Sequence, residues 1–80
     1  MRKYRVSYWW LKPDTRNAWG RLVAPDSVYF VSLDEARDFA LDFFTRMGEE
    51  DSEALHRGAT VYCLPERGNP LRVLEYNSNA

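Results

Sequence analysis

One stretch of this chain repeats its apolar residues at the helical period, and the segments on both sides repeat theirs in twos. Between Leu33 and Met47, the residues Leu33, Ala36, Phe39, Ala40, Phe43, Phe44 and Met47 fall on one broad face when each step turns about 100°. Residues 3–11 instead alternate. Tyr4, Val6, Tyr8 and Trp10 share one side, and Lys3, Arg5, Ser7, Trp9 and Leu11 share the other, as in a half-buried strand. A one-sided helix and one-sided strands bury their apolar faces against each other, so the pattern predicts a small α+β domain.

The local signals place the elements. Lys12-Pro13-Asp14-Thr15-Arg16-Asn17 has turn chemistry, because proline presets φ and Asp and Asn make local side-chain turns. Residues 18–24 read as a return strand, interrupted at Pro25-Asp26, with Val28 to Val31 as a further extended piece. Ser32-Leu33-Asp34-Glu35 fits a capping box, in which the Ser32 hydroxyl accepts from the Glu35 amide and the Glu35 side chain reaches back. Gly48 suits the left-handed position that ends a helix. Residues 49–53 read as an acidic loop, and 52–57 as room for a short helical turn. Residues 59–64 and 71–76 are strand candidates joined by the hairpin loop 65–70. The expected order is β-β-α-β-β, with about four antiparallel strands and the helix on one face.

Size and composition bound the rest. A chain of 80 residues has room for one domain, assigned to 1–76 with a polar, fraying tail at 77–80. At 15% aromatic residues and a net charge of −1 the chain is not of the disordered class. Four glycines and four prolines exclude collagen-like and low-complexity sequence. The single cysteine, Cys63, has no internal partner, so the core must hold the fold without a disulfide. A core of this size supplies only about 3–5 kcal/mol net, so most of the aromatics are read first as core. Met1-Arg2-Lys3 mimics the start of an export signal, but the apolar run from Tyr8 to Leu11 is too short for one. No stretch approaches a membrane span. The expectation is a soluble, cytoplasmic protein.

Charge is segregated along the chain. Residues 1–25 carry six bases against one acid, residues 26–55 nine acids against two bases, and residues 56–80 three bases against two acids. Asp34, Glu35, Asp38 and Asp42 lie opposite the helix's apolar face, and Asp34, Asp38 and Asp42 form a line with about 6 Å between neighbours. Glu49, Glu50, Asp51 and Glu53 continue the negative charge. Acids near a helix start favour the macrodipole. That explains Asp34, Glu35 and Asp38 but neither Asp42 nor the later run. The alternative is a carboxylate surface at phosphate-like spacing, facing a basic surface of a host protein or ribonucleoprotein complex.

A second candidate surface lies on the far side of the first strand. Lys3, Arg5 and Trp9 point away from the helix there, and Tyr62 and Arg72 can join them from neighbouring strands. Bases interleaved with aromatics make a platform for stacking nucleobases and neutralising phosphates. Against this stand the absence of an RNP-type aromatic motif and the lack of a basic overall balance. The same face, with Leu11, or a sheet edge could instead join two copies in a homodimer.

Motifs of catalysis are not found. One histidine, His56, and one cysteine make no structural zinc site unless carboxylates complete it, and no metal or cofactor is expected. A cysteine inside a strand pattern is usually a small buried hydrophobe. No P-loop, dinucleotide fingerprint, EF-hand loop or nucleophile elbow occurs. The helix carboxylates are exposed, without the burial that tunes a general acid. A non-enzymatic binding protein is expected.

The segment Tyr29-Phe30-Val31-Ser32-Leu33-Asp34-Glu35-Ala36-Arg37-Asp38-Phe39-Ala40 resembles a phrase common in small phage and mobile-element proteins, an aromatic strand end running into a Ser-Leu-acid-acid-Ala helix start. In size, single-sheet layout and acidic patch the whole chain resembles anti-CRISPR proteins. The resemblance implies a non-enzymatic inhibitor that occupies the nucleic-acid channel or a subunit contact of a host defence complex. It carries no shared motif and so assigns no residue a role.

Overall fold

A computed structural model describes residues 3–14, 16–50 and 56–78. Its elements are β1 (Tyr4–Asp14), β2 (Asn17–Phe30), α1 (Leu33–Glu50), β3 (His56–Cys63) and β4 (Leu71–Asn77). The four strands form one antiparallel sheet in the order β2-β1-β3-β4, with the helix packed on one face. This is the expected α+β fold. Because β2 and β3 both run antiparallel to β1, they are parallel to each other with β1 between them. Joining parallel strands takes a crossover, and a helix is the usual one. The crossover carries α1 over a single face of the sheet and leaves the other uncovered.

The core is built from small residues ringed by aromatics. Val6, Ala36, Ala40, Ala59 and Val61 are fully buried. Ala36 and Ala40, one turn apart, put no bulk between the helix and the sheet residues Val6, Ala59 and Val61. Around them Tyr8 packs on Phe39 and Phe43, with ring centroids 5.7 and 4.9 Å apart. Phe30 packs on Phe39, Trp10 on Phe43 and Phe44 on Tyr76. The expected inward side of the first strand, Tyr4, Val6, Tyr8 and Trp10, is thus the helix-facing side.

Several boundaries differ from the sequence reading. The turn around 12–17 is much shorter, because β1 runs to Asp14 and Asp14 already pairs with Asn17. Pro13 is tolerated because β3 pairs only as far as Leu11, so this part of β1 is flanked by β2 alone. Pro25-Asp26 does not interrupt the return strand. It lies in a bulge, where Tyr8 pairs with Asp26 and Trp10 with Val23, on an edge strand that needs no amide from proline. A second irregularity, between Lys12 and Asp14, contains Gly20 at φ 91°, a left-handed value that glycine adopts without penalty.

The helix also runs past Gly48 to Glu50, so Glu49 and Glu50 are helical, not in a loop. Its start is at Leu33, as expected, and the Ser32 carbonyl takes the first helical bond, from Ala36 N–H at 3.1 Å. His56 and Arg57 belong to β3 rather than to a helical turn, while 51–55 lie outside the described residues. At the other end the strand includes Asn77, and Ser78 is tied down. Ser78 N–H donates to the Arg57 carbonyl at 3.1 Å, and Arg57 N–H donates to Ser78 Oγ at 2.9 Å. Residues 79–80 lie outside the described residues.

Arg57 is also the clamp between β3 and the helix. Its guanidinium carbon sits 4.2 Å from the Phe44 ring centroid, and its Nε donates to the Phe44 carbonyl at 2.7 Å. Arg57→Ala is expected to lower unfolding stability by about 1–3 kcal/mol. Arg57→Lys should recover only part of this, since an ammonium lacks the planar fork that stacks and donates together. Urea denaturation checks both. A loss within about 0.5 kcal/mol for the alanine variant would mean the clamp contributes nothing.

Candidate functional site

The uncovered face of the sheet has an order that follows from strand register. Paired residues point to the same side, so each rank of partners forms a row across the strands. One row reads Tyr29 (β2), Arg5 (β1), Tyr62 (β3) and Arg72 (β4), aromatic and cation in alternation. The next reads Ser27, Ser7, Thr60 and Glu75. Beyond it Trp9 pairs with Gly58 and Gly58 with Asn77, and then Leu22 with Leu11 and Leu11 with His56. The residues expected on this side, Arg5, Trp9, Tyr62 and Arg72, are therefore brought together. Exposed Lys3 precedes them on the same side of the chain, two residues before Arg5.

The row holds its cations in defined places. The Arg5 guanidinium carbon lies 4.8 Å from the Tyr62 ring centroid, and no carboxylate among the described residues pairs with it. Its Nε is buried without a hydrogen-bond partner, so stacking rather than a counter-anion fixes the group. Arg72 donates from an Nη to Glu75 Oε2 at 2.8 Å. Both members are partly open to solvent, which leaves the pair little net worth in stability.

Trp9 lies over Gly58. A Cβ at Gly58 would meet the Trp9 indole at 2.6–2.8 Å, so only glycine lets the ring rest on the β3 backbone. Next to it Ser7, Tyr8, Trp9, Asp26 and Ser27 line a shallow depression of about 370 Å³ at the Pro25 bulge. The Ser7 and Ser27 hydroxyls are 3.3 Å apart, and Asp26 Oδ1 accepts from Ser27 N–H at 2.7 Å. Tyr29, Ser7, Ser27, Asp26 and Gly58 were not legible as site residues from sequence. Register decides their partners, and the bulges shift register by three residues of β2, two between Lys12 and Asp14 and one between Tyr8 and Trp10.

The acidic surface lies on the other side of the molecule. Asp34, Glu35, Asp38 and Asp42 are all exposed on α1. The three aspartates carry their own counter-ions: Arg37 reaches Asp34 at 3.1 Å and Asp38 at 3.9 Å, and Arg46 reaches Asp42 at 3.0 Å. Glu49 and Glu50 extend the helix, while Asp51 and Glu53 lie outside the described residues. The expected line of carboxylates exists, but arginines interleave it and lower its net charge.

The remaining chemistry-bearing residues are dispersed. His56 and Cys63 stand at opposite ends of β3, roughly 23 Å apart at strand rise. They also face opposite ways, since His56 pairs with Leu11 and Cys63 with Tyr4. Cys63 is a half-buried free thiol. Among the described residues no three His, Cys, Asp or Glu side chains converge as metal ligands, and no helix is long and apolar enough to cross a membrane. Comparison with family models, with curated proteins and with solved structures gave no match.

Proposed function

We propose that this protein is a non-enzymatic binding module whose working surface is the open face of the sheet, and that the face takes single-stranded nucleic acid. The observation that carries the reading is the row Tyr29, Arg5, Tyr62, Arg72 across all four strands. Nucleobases present flat faces that stack on aromatic and guanidinium planes, and the phosphates between them seek cations. Lys3, Arg5 and Arg72 give the face a positive balance against Glu75, while the helix acids sit on the opposite layer. Segregation of this kind lets a chain of net charge −1 attract a polyanion from one side.

The test is an intrinsic tryptophan fluorescence titration with a short oligonucleotide. Quenching is expected at low salt, weakening steeply as salt rises because bound phosphates release counterions. No quenching at low salt would remove the reading.

A second reading keeps a protein partner, as in the anti-CRISPR-type inhibitor that the sequence resembles. It rests on the exposure of Asp34 and Asp38, whose side chains are 78% and 76% open to solvent despite Arg37. Charge reversal at Asp38 and Asp42 together separates the two. Under the first reading the double variant keeps its oligonucleotide binding. Under the second it loses a protein captured by the wild type from nuclease-treated host lysate.

A further inference from the structure

We infer that the strand this face takes is RNA, selected over DNA by its ribose hydroxyls; this rests on the single-strand reading above. The open face sets its aromatic side chains in two ranks. Tyr29 and Tyr62 stand in the row of Arg5, and Trp9 stands four residues further along β1, about 14 Å away at strand rise. Bases stacked on both ranks leave the sugar-phosphate chain to cross the row between them. That row is Ser27, Ser7, Thr60 and Glu75. From β2 to β3 it follows the row of Arg5 in unbroken register, so the three hydroxyl residues share the open side with Arg5. Small side chains between two ranks of large ones make a trough across these strands.

The chemistry of the trough separates sugar from phosphate. Its one charged member, Glu75, is an acid and disfavours a phosphate. Arg5 and Arg72 lie one row away and are the better partners for phosphate, which leaves the hydroxyls to the sugar. A ribose 2′-hydroxyl both donates and accepts, as serine and threonine hydroxyls do. Deoxyribose has no polar group at that position. The hydroxyls are within a ligand's reach, since Ser7 and Ser27 line the depression of about 370 Å³ beside Trp9. Asp26 borders it as well, but it pairs with Tyr8 and so belongs to the helix-facing side. Ser7 Oγ and Ser27 Oγ, 3.3 Å apart, use one proton on each other and keep a second to donate outward.

The experiment compares labelled uridine oligomers of about ten nucleotides, one with ribose and one with deoxyribose, by fluorescence anisotropy at low salt. The two differ only at the 2′ position. For the wild type the ribose oligomer should bind on the order of tenfold more tightly, what one or two net hydrogen bonds supply. The variant combines Ser7→Ala, Ser27→Ala and Thr60→Val, so that neither serine hydroxyl is left without its partner. In it the ribose oligomer should fall to the affinity of the deoxyribose one, which itself stays within about twofold of its wild-type value. That retained binding, with an unchanged melting temperature, shows the variant folded. Equal affinities in the wild type, with both oligomers bound, would overturn the selection of ribose and leave the strand reading standing. A ribose preference that survives in the folded variant would overturn the role of the hydroxyl row. Failure of both oligomers to bind the wild type would remove the strand reading as well.

Discussion

Ala40→Leu is expected to destabilise the domain by about 1–3 kcal/mol, although leucine is more hydrophobic than alanine and nearly as good a helix former. Ala40 is fully buried against the sheet, and the residues around it, Val6, Ala59 and Val61, are fully buried too. No space there receives three further carbon atoms, so α1 would have to lift from the sheet or the side chain leave its rotamer well. Lifting the helix also opens the Tyr8 contacts with Phe39 and Phe43. In a domain of this size each kcal/mol lowers the melting temperature by about 4–8 °C. Against a core that contributes about 3–5 kcal/mol net, the variant would sit close to unfolding at physiological temperature. Thermal melts by circular dichroism check it. Leu41→Ala is the control, since Leu41 is exposed and its loss should stay within about 0.5 kcal/mol. Equal stability of Ala40→Leu and the wild type would show that the helix is not seated closely on the sheet.

The second large effect concerns binding. Tyr62→Ala is expected to weaken oligonucleotide affinity by about 1–3 kcal/mol, the range for losing one stacking platform. The change also frees Arg5, whose guanidinium is held by stacking on that ring at 4.8 Å. Arg5→Ala with Arg72→Ala should act differently. It removes two phosphate partners and lowers the slope of log affinity against log salt by about 1–1.5. The aromatic loss is therefore nearly independent of salt, whereas the cation loss is largest at low salt. Titrations of both variants across a salt series separate the two. Identical salt slopes for wild type and the double arginine variant would mean that neither guanidinium meets a phosphate, and the row would lose its assigned role.

The position of Arg72 depends on a bulge, and the bulges also blunt the sheet's edges. On β4 an extra residue, Val73, stands where Val61 pairs with Leu74 and Tyr62 with Arg72. It turns Arg72 onto the open face, three residues from Glu75 yet on the same side. On β2 the bulge at Pro25 does the same for Ser27 and Tyr29. Bulges of this kind interrupt the row of free amides and carbonyls that would let another strand add.

What could be read from the chain follows from physical range. Periodicity and capping are local, so the alternation of residues 3–11, the helix start at Leu33 and its apolar face to Met47 emerge from the sequence alone. The α+β class follows from them, because one-sided elements must cover one another. So does the division of the first strand, with Tyr4, Val6, Tyr8 and Trp10 inward and Arg5 and Trp9 outward. Some local rules did not hold. Gly48 did not end the helix. Proline at position 25 did not end a strand, because the edge of a sheet needs no amide from it. Ser78 did not fray, because Arg57 holds it.

Only the tertiary structure decided which residues share a row. Tyr29 and Arg5 stand 24 positions apart in sequence and Arg5 and Tyr62 stand 57 apart, and they become neighbours only through the register of β1 with β2 and β3. Register depends on where the extra residues of β2 and β4 are absorbed, and no local propensity specifies that. The sequence by itself determined what each element buries. The packing of the whole determined which side chains the uncovered face presents together, because one crossover helix is wide enough to cover only one side of the sheet.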